Sequence, residues 1–598
     1  MTTAYNGKLA RINLSTGEIK TEVLDLDLAK KYIGGRGLGT KILYDEGIAT
    51  VEPLSEQNKI VFATGAIAGT NSPTSGRYMV VTKSPLNNMI ASSNSGGKWG
   101  AKLKYAGWDA LIVEGKSEKP VYLNIEDEKI EILSAEPFVG MLSESLDDLL
   151  KEMHPKCSVL NIGPAGENQS LIAAVINDKD RAAGRSGVGA VMGSKNLKAI
   201  SVSSTKNVME PFDAAKLKET TAECIKKIRE NGVTSTGLPT YGTAVLVNII
   251  NNTGSFPVNN WQGSYFEKAD DISGETLKEN YLEKTSYCHR CPIGCGRVIS
   301  INGKETGGPE YEPLWAYGSN CGISDLPTIN MANYLCNEYG LDAISTPCTI
   351  AAAMELYQKG YIKEEECDGI PLVWGSSEAV IEWTRRMGEG QGTLAKLMAD
   401  GSHRLCEHYG HPEFSMSVKK LEMPAYDGRG IQGIGLGYAT SNRGACHVRA
   451  YTISPEILGM PVALDRTATE GKAFWTKTFQ DLTAVIDSMG LCLFTSFALG
   501  APDYANLLNA GTGTTYTPEE LLVVGERIYN LERLFNKEAG MKSEDDRLPK
   551  RLTEEPIVDG PSKGMVSKLS ITLPEYYEAR GWENAFPTQD TLVRLGLD

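Results

Sequence analysis

Short segments of alternating apolar and polar side chains dominate the N-terminal part of the chain. Residues 8–14 and 19–23 alternate on either side of the turn residues Ser15, Thr16 and Gly17, which predicts a β-hairpin. Glycine-rich loops at 92–100 and 180–193 separate other apolar segments. Those segments predict strands at 60–64, 78–82, 110–114, 121–125, 130–133, 159–162, 171–176 and 199–203. So many short strands indicate stacked or strongly twisted sheets.

The spacing of apolar residues changes to the 3.6-residue period of amphipathic helices after about residue 207. Helices are predicted at 211–231, 331–339, 346–361, 378–386, 393–409, 474–489 and 518–538. A passage rich in proline and glycine at 423–433 is unsuited to a helix interior and marks a second boundary. We therefore predict an α+β fold, in which a β-rich N-terminal base domain (1–207) precedes two mainly α-helical domains (208–418 and 419–598).

The composition is that of a large globular protein. The chain has 598 residues, of which 41% are hydrophobic and 23% charged, and it contains no apolar run that would cross a bilayer. The first residues lack a basic segment followed by an apolar one, so no signal peptide is predicted and a cytoplasmic location is expected. A formal net charge of −15 argues against nucleic acid as a partner. Neither a membrane nor nucleic acid is therefore expected to bind.

Three closely spaced cysteines lie in the middle of the chain. Cys288, Cys291 and Cys295 follow the pattern C-x2-C-x3-C, which is typical of an iron–sulfur cluster that takes one more thiolate from a distant segment. Cys492 is the candidate for that ligand, because it follows the predicted helix end at Gly490, where a turn can aim a side chain at a fixed centre. A structural zinc site or three unrelated buried thiols are the alternatives.

The hexamer that contains Cys492 has a second copy. Residues 487–492 read Asp-Ser-Met-Gly-Leu-Cys, residues 337–342 read Asn-Glu-Tyr-Gly-Leu-Asp, and each copy follows a predicted helix. Two similar helix ends would present polar groups to two similar ligands, or to the two halves of one pseudo-symmetric ligand. Arg181 and Arg185, in the glycine-rich segment, are suited to bind phosphate groups.

Longer motifs resemble those of the aldehyde:ferredoxin oxidoreductase family over essentially the whole chain, most closely the members from anaerobic bacteria. They lie at 73–77 (PTSGR), 93–100 (SNSGGKWG), 180–193 (DRAAGRSGVGAVMG) and 307–312 (GGPEYE). The resemblance implies an enzyme that interconverts aldehydes and carboxylic acids at a tungsten bis-pterin cofactor (tungstopterin), beside a 4Fe-4S cluster and with a magnesium ion between the pterin phosphates. Electrons would pass one at a time to ferredoxin or to a small iron–sulfur subunit, and the family allows a homodimer.

The resemblance also implies the roles of individual residues. Arg77 would lie between the cluster and a pterin. The cluster ligands would be Cys288, Cys291, Cys295 and Cys492. Pterin contacts are implied for Asn94, Gly96, Arg181, Ala182, Gly184, Arg185, Asp342, Arg449, Asp487 and Leu491, and magnesium contacts for the backbone carbonyls of Asn94 and Ala182.

Three residues are candidate catalytic acids and bases. His447 has a side chain that gains or loses a proton near neutral pH. Glu312, with Glu310 as its neighbour, is a carboxylate whose pKa would be raised by burial. Relatives carry acidic residues at the places of Met331 and Asn337, so one acid/base group would be absent here.

Two other functions remain open on the sequence. One is a metallopterin reductase of another low-potential substrate, and Cys321 is a candidate for a direct metal ligand of the kind found in distant reductase subunits. The other is a non-catalytic iron–sulfur electron-transfer subunit. The candidate walls of a substrate pocket, or else plain core residues, are Tyr311, Trp315, Tyr317, Tyr426, Tyr438 and Tyr451.

Overall fold

Two six-stranded mixed sheets form the N-terminal part of the protein, which a computed structural model describes from residue 3 to residue 598. The first sheet has the spatial order Glu18–Val23, Lys8–Asn13, Ala110–Glu114, Ile60–Thr64, Tyr78–Lys83 and Ile90–Ser95. The second has the order Arg181–Ala183, Val175–Asn177, Ser158–Asn161, Leu197–Ser203, Val121–Glu126 and Lys129–Ser134. Trp99 joins the two sheets, because its ring lies 4.6 Å from that of Tyr78 and its indole N–H donates to the Ile200 carbonyl at 3.2 Å.

Helices surround the sheets and make up most of the chain beyond them. Those that accompany the sheets are Leu26–Tyr32, Gly35–Asp45, Trp99–Tyr105, Ser143–Met153, Pro164–Glu167 and Val188–Ser194. Those that follow are Ala214–Glu230, Leu238–Tyr241, Leu246–Asn251, Gly274–Asn280, Tyr311–Tyr317, Leu326–Tyr339, Ser345–Gln358, Ser377–Glu389, Thr393–Met398, Ser402–His408, Gln432–Thr440, Ile453–Glu456, Lys472–Met489, Ala501–Thr512, Pro518–Glu538, Lys550–Glu554, Leu569–Arg580 and Gln589–Leu595. The α+β prediction is confirmed. Within residues 3–598, no helix has both the length and the apolar character that a membrane crossing requires.

Small sheets interrupt the helical part. The largest has the strands Leu282–Ser286, Gly296–Ile301 and Lys304–Gly307, and its first two strands flank the segment that carries Cys288, Cys291 and Cys295. Two-residue hairpins occur at Ser417–Val418 with Leu421–Glu422 and at Trp582–Glu583 with Phe586–Pro587.

The prediction that 92–100 and 180–193 are loops was wrong in part. Ile90–Ser95 and Arg181–Ala183 are edge strands of the two large sheets, and they contact each other. Their short polar and alanine side chains lack the apolar alternation that marks a strand in a sequence. The single helix predicted at 393–409 is two helices, because Gly401 lies between them with a φ of +90°.

Two helices end against the sheets in the same manner. Leu326–Tyr339 is followed by Gly340 (φ +71°) and Lys472–Met489 by Gly490 (φ +81°), both in the left-handed conformation that glycine adopts readily. A Cβ added to Gly163, after a strand of the second sheet, would lie 2.3 Å from the Tyr339 carbonyl. A Cβ on Gly65, after a strand of the first sheet, would lie 2.0 Å from the Gly490 nitrogen. The repeated hexamer thus corresponds to two equivalent helix ends.

This close approach predicts a loss of stability in the Gly65→Ala variant. The added methyl group has only backbone to displace, so we expect a cost of about 2 kcal/mol and a lower apparent melting temperature at a fixed scan rate. Gly232→Ala is the matched control, since a Cβ there meets nothing within 4 Å. Equal melting temperatures of the two variants would contradict the close packing of the helix end.

Candidate functional site

The segment that carries three cysteines is held against the base of the protein by backbone hydrogen bonds. The His289 N–H donates to the Gly97 carbonyl at 3.0 Å, and the Thr74 N–H donates to the Arg290 carbonyl at 2.9 Å. Thr74 also accepts, at Oγ1, a hydrogen bond of 3.0 Å from the Cys492 N–H. Thr74 therefore brings the 288–295 segment and Cys492 to the same place.

Arg77 lies among the thiols. Its Nη2 donates to the Cys492 Sγ at 3.3 Å and its Nη1 to Asn94 Oδ1 at 2.6 Å, while its buried Nε has no partner in the described part of the chain. Burial lowers the pKa of Arg77, but the charges of Cys492, Cys288 and Cys295 raise it above its usual value overall. The positive charge of Arg77 is thus fixed next to the cysteines, whose thiolate forms would be negatively charged.

The thiols are spread around a small space. A Cβ on Gly96 would approach the Cys288 Sγ to 2.9 Å, so a larger residue there would require the Cys288 side chain to move. The Ile293 N–H donates to the Cys291 Sγ at 3.4 Å. Burial raises the pKa of the Cys295 thiol well above its usual value, and the charge of Glu310 adds to this. Among the described residues, no three His, Cys, Asp or Glu side chains are close enough to hold one metal ion.

Carboxylates at the two helix ends are bound to arginines. Asp487 accepts hydrogen bonds from Arg449 Nη1, from Arg36 Nη1 at 3.4 Å and from Asn94 Nδ2 at 3.1 Å. Asp342, at the other end, accepts from Arg185 Nε at 3.2 Å. Both helix ends therefore face the edge strands of the base.

Positive charge is concentrated around Arg449. Burial, together with the charges of Arg36 and Arg443, lowers the pKa of Arg449 to about 10 against the opposing effect of Asp487. Such crowding of guanidinium groups favours a bound anion such as a phosphate. Leu491 is fully buried next to this cluster, and a Cβ on Gly184 would touch nothing closer than 3.7 Å.

A cavity of about 360 Å³ lies between the 288–295 segment, the Arg181–Ala183 strand and the Tyr311–Tyr317 helix, a size that suits a bound small molecule. Its lining includes Arg77, Gly96, Cys288, Cys295, Arg181 and Ala182, together with Glu310, Glu312, Tyr311, Tyr426, His447 and Tyr451. Buried polar atoms without a partner, at Arg77 Nε, Glu312 Oε1 and His447 Nδ1, belong to its lining residues. Because buried polar atoms are normally paired, these atoms fit a site for a polar ligand.

Glu312 and His447 form the titratable pair of the cavity. Burial raises the pKa of Glu312 to about 8, although a hydrogen bond from the Ala425 N–H at 3.0 Å acts against it. Burial lowers the pKa of His447 well below its usual value, as do the charges of Arg185 and Arg443. The 3.6 Å between His447 Nε2 and Glu312 Oε1 is too long for a hydrogen bond. Burial thus favours the uncharged form of both groups.

Glu310 differs from Glu312 in its surroundings. It accepts a hydrogen bond of 2.5 Å from Thr243 Oγ1 and lies 3.6 Å from Arg181 Nη1, with 38% of its side chain exposed. Arg181 in turn donates to Ser286 Oγ at 3.1 Å, so it connects the second sheet to the 288–295 segment. Glu310 is thus tied to the rim near Arg181.

Some predicted pocket residues lie elsewhere. Tyr311, Tyr426 and Tyr451 line the cavity, but the other predicted wall residues, Trp315, Tyr317 and Tyr438, are buried outside its lining. Asn337 lines the cavity and Met331 does not. Cys321 is buried away from it, with its Sγ 3.3 Å from the Ala316 carbonyl.

Sequence reasoning missed Arg36 and Thr74. Arg36 is fully buried, donates to both carboxylate oxygens of Glu532 at 2.7 Å and contacts Asp487. Its position among the glycines of Gly34-Gly35-Arg36-Gly37 was the available signal, since glycines allow close approach of backbone. Thr74 lies in a motif that was noted only as part of the resemblance.

Comparison with known proteins agrees with this arrangement. The family model described as aldehyde ferredoxin oxidoreductase, N-terminal domain, matches residues 9–204, and the one described as aldehyde ferredoxin oxidoreductase, domains 2 & 3, matches residues 219–597. Tungsten-containing aldehyde ferredoxin oxidoreductases of Pyrococcus furiosus and Thermococcus kodakarensis are 52% and 51% identical, each over 99% of this chain and 98% of the relative. A solved structure of the active-site complex BamBC of benzoyl coenzyme A reductase with 1,5-dienoyl-CoA has the same fold, with a TM-score of 0.87 at 24% identity over 100% of this chain and 98% of that chain. The chain therefore belongs to the aldehyde ferredoxin oxidoreductase family.

Proposed function

We propose that this protein is a tungsten-containing oxidoreductase that converts aldehydes and water to carboxylic acids and passes the electrons to ferredoxin or a small iron–sulfur subunit. The observation that carries the proposal is one cavity whose lining includes Arg77 and two of the four cysteines together with Glu312 and His447. Electron transfer and proton transfer can therefore take place within one site. The names of the relatives given above indicate tungsten as the metal and ferredoxin as the electron acceptor.

The residues around the cavity suit the cofactors of this chemistry. Cys288, Cys291, Cys295 and Cys492 would bind a 4Fe-4S cluster, with Arg77 hydrogen-bonded between it and a pterin. Pterins would contact Asn94, Gly96, Arg181, Ala182, Gly184, Arg185, Asp342, Arg449, Asp487 and Leu491. These residues lie on the edge strands, in the loops that follow those strands, at the two helix ends and, for Arg449, in a loop bonded to Asp487. The backbone carbonyls of Asn94 and Ala182, on the two adjacent edge strands, would bind magnesium. The free state of all twelve cysteines fits a reducing compartment such as the cytoplasm.

The chain itself handles the protons of the reaction. Oxidation of an aldehyde takes up the oxygen of one water and releases two electrons and two protons. When bound, the tungsten cofactor would supply the two-electron chemistry and the cluster would transfer the electrons singly. Glu312 accepts a proton at Oε1 in its carboxylate form, and neutral His447 accepts one at a ring nitrogen, so the pair can remove both protons. Tyr311, Tyr426 and Tyr451 cover this region and limit access of water.

An apolar recess adjoins the cavity and indicates the substrate class. The recess has a volume of about 150 Å³ and shares Leu246, Tyr451 and Phe494 with the cavity, while Phe497 closes its far side. Its walls offer almost no polar atoms to a ligand. We infer that the aldehydes accepted carry a short apolar side chain.

Metal analysis combined with an anaerobic assay tests the proposed function. Protein purified without oxygen is expected to contain about four irons and tungsten, and to reduce a viologen dye with short aliphatic aldehydes, less well with longer ones. Iron without tungsten or molybdenum would indicate an electron-transfer subunit. Tungsten and iron without turnover of any aldehyde would indicate a reductase of another substrate.

A further inference from the structure

A group of positive side chains lies on and around the 288–295 segment. Lys98, Lys102 and Lys156 line a surface cavity of about 410 Å³ that also includes Tyr287, and Arg290 is exposed on the same segment. We refer to Lys98, Lys102, Lys156 and Arg290 as the lysine patch. A local excess of positive charge contrasts with the formal net charge of −15.

The lysine patch is directly connected to the thiols. Lys98 follows Gly97, whose carbonyl accepts the His289 N–H at 3.0 Å, and Gly96, which leaves room for the Cys288 Sγ. Arg290 lies between Cys288 and Cys291 in the sequence, and its carbonyl accepts the Thr74 N–H at 2.9 Å. The path from the patch to the proposed cluster is therefore short.

The patch cations have no role in holding the fold together by ion pairs. None of the four makes a salt bridge to a carboxylate within residues 3–598, whereas Lys151, at the same cavity, is paired with Asp147. Two carboxylates also line the cavity: Asp178 accepts hydrogen bonds from Ser158 Oγ at 2.5 Å and the Lys98 N–H at 2.6 Å, and Asp180 lies 3.7 Å from Arg181 Nε. Tyr287 is 58% exposed beside them. The charges are thus available to a partner.

We propose that the lysine patch is the docking surface for a small acidic iron–sulfur protein that receives electrons from the cluster. This proposal rests on the proposed function, since it requires a cluster beneath the patch. Electron-transfer complexes have small interfaces and short lifetimes. Complementary charge speeds their formation and orients the partners. A carrier with carboxylates around its own cluster would be placed against Tyr287 and Arg290, next to Cys288.

Charge reversal tests the docking surface. In the holoenzyme, Lys98→Glu with Lys156→Glu is expected to weaken binding of an acidic ferredoxin roughly tenfold at low ionic strength, with a flatter dependence on salt. Turnover with aldehyde and a viologen dye should stay within about twofold of the unsubstituted enzyme, because dye reduction needs no docked protein. Binding is measured directly with the purified ferredoxin, and ferredoxin-linked turnover is measured in parallel.

The matched control is Lys420→Glu with Lys550→Glu. Both lysines are exposed and line a different surface cavity, of about 730 Å³, and the substitutions change the net charge by the same amount. Unchanged ferredoxin affinity of the patch variant, or an equal loss in the control, would overturn the docking surface. Absence of dye-linked turnover in the unsubstituted enzyme would instead overturn the proposed function, while the binding comparison would still decide where ferredoxin docks.

Discussion

Replacement of Glu312 by glutamine is expected to reduce aldehyde oxidation about a hundredfold, the usual size of a general acid–base contribution. The amide keeps the shape of the side chain and can still accept the Ala425 N–H, but it cannot take up the proton. Metal content should therefore be unchanged. The measurement is dye-linked turnover at saturating aldehyde, together with tungsten and iron analysis of the same sample.

The pH dependence of aldehyde oxidation provides a second test of the role of Glu312. Because burial raises the pKa of Glu312 to about 8, the carboxylate form that accepts a proton is the minor form below that pH. The rate of aldehyde oxidation should rise with pH, reach half of its maximum near pH 8 and level off above it, and this rise should be absent in Glu312→Gln. Glu310→Gln is the comparison, because Glu310 is partly exposed and tied to Thr243, so its effect should be well below that of Glu312→Gln. An unaltered rise in the Glu312 variant would remove Glu312 from the proton path.

Replacement of Cys492 by alanine is expected to remove one ligand of the cluster. Iron should fall from about four to at most three per chain, and electron transfer to ferredoxin should be lost almost completely. Tungsten should be partly retained, because Arg449 and Asp487 remain at the helix end. Iron analysis and the spectrum of the reduced protein provide the readout.

Cys224→Ala is the control for this substitution, since Cys224 is a fully buried thiol that does not line the cavity. It should keep its iron. Full iron content and an unchanged spectrum in the Cys492 variant would show that the fourth ligand is another group.

Local patterns in the sequence were sufficient to predict the site residues that lie at helix ends or in the 288–295 segment. Cys492 and Asp487 could be selected because Gly490 ends a strongly periodic helix, and the 288–295 spacing is itself local. Edge strands were missed, because Asn94 lies in a segment rich in serine and Ala182 in a segment of three residues with two alanines, and neither shows apolar alternation.

Contacts between residues far apart in the sequence could not be predicted from local patterns. Arg36 and Glu532 are 496 positions apart, and nothing near either one indicates the other. The pairing of Glu312 with His447 could be anticipated only through the family resemblance, since a lone histidine and a lone glutamate have no pattern. Their altered pKa values depend on burial, which is a property of the folded molecule.

The hydrogen bond between Arg77 and Cys492 spans 415 positions of the chain and so constrains the order of biosynthesis. While the helical part is still being synthesised, Gly490 and Cys492, which pack against the first sheet, do not yet exist. A metal or organic group bound at that stage would be exposed to solvent in an incomplete site. The site can therefore close around such a group only after Cys492 has been synthesised.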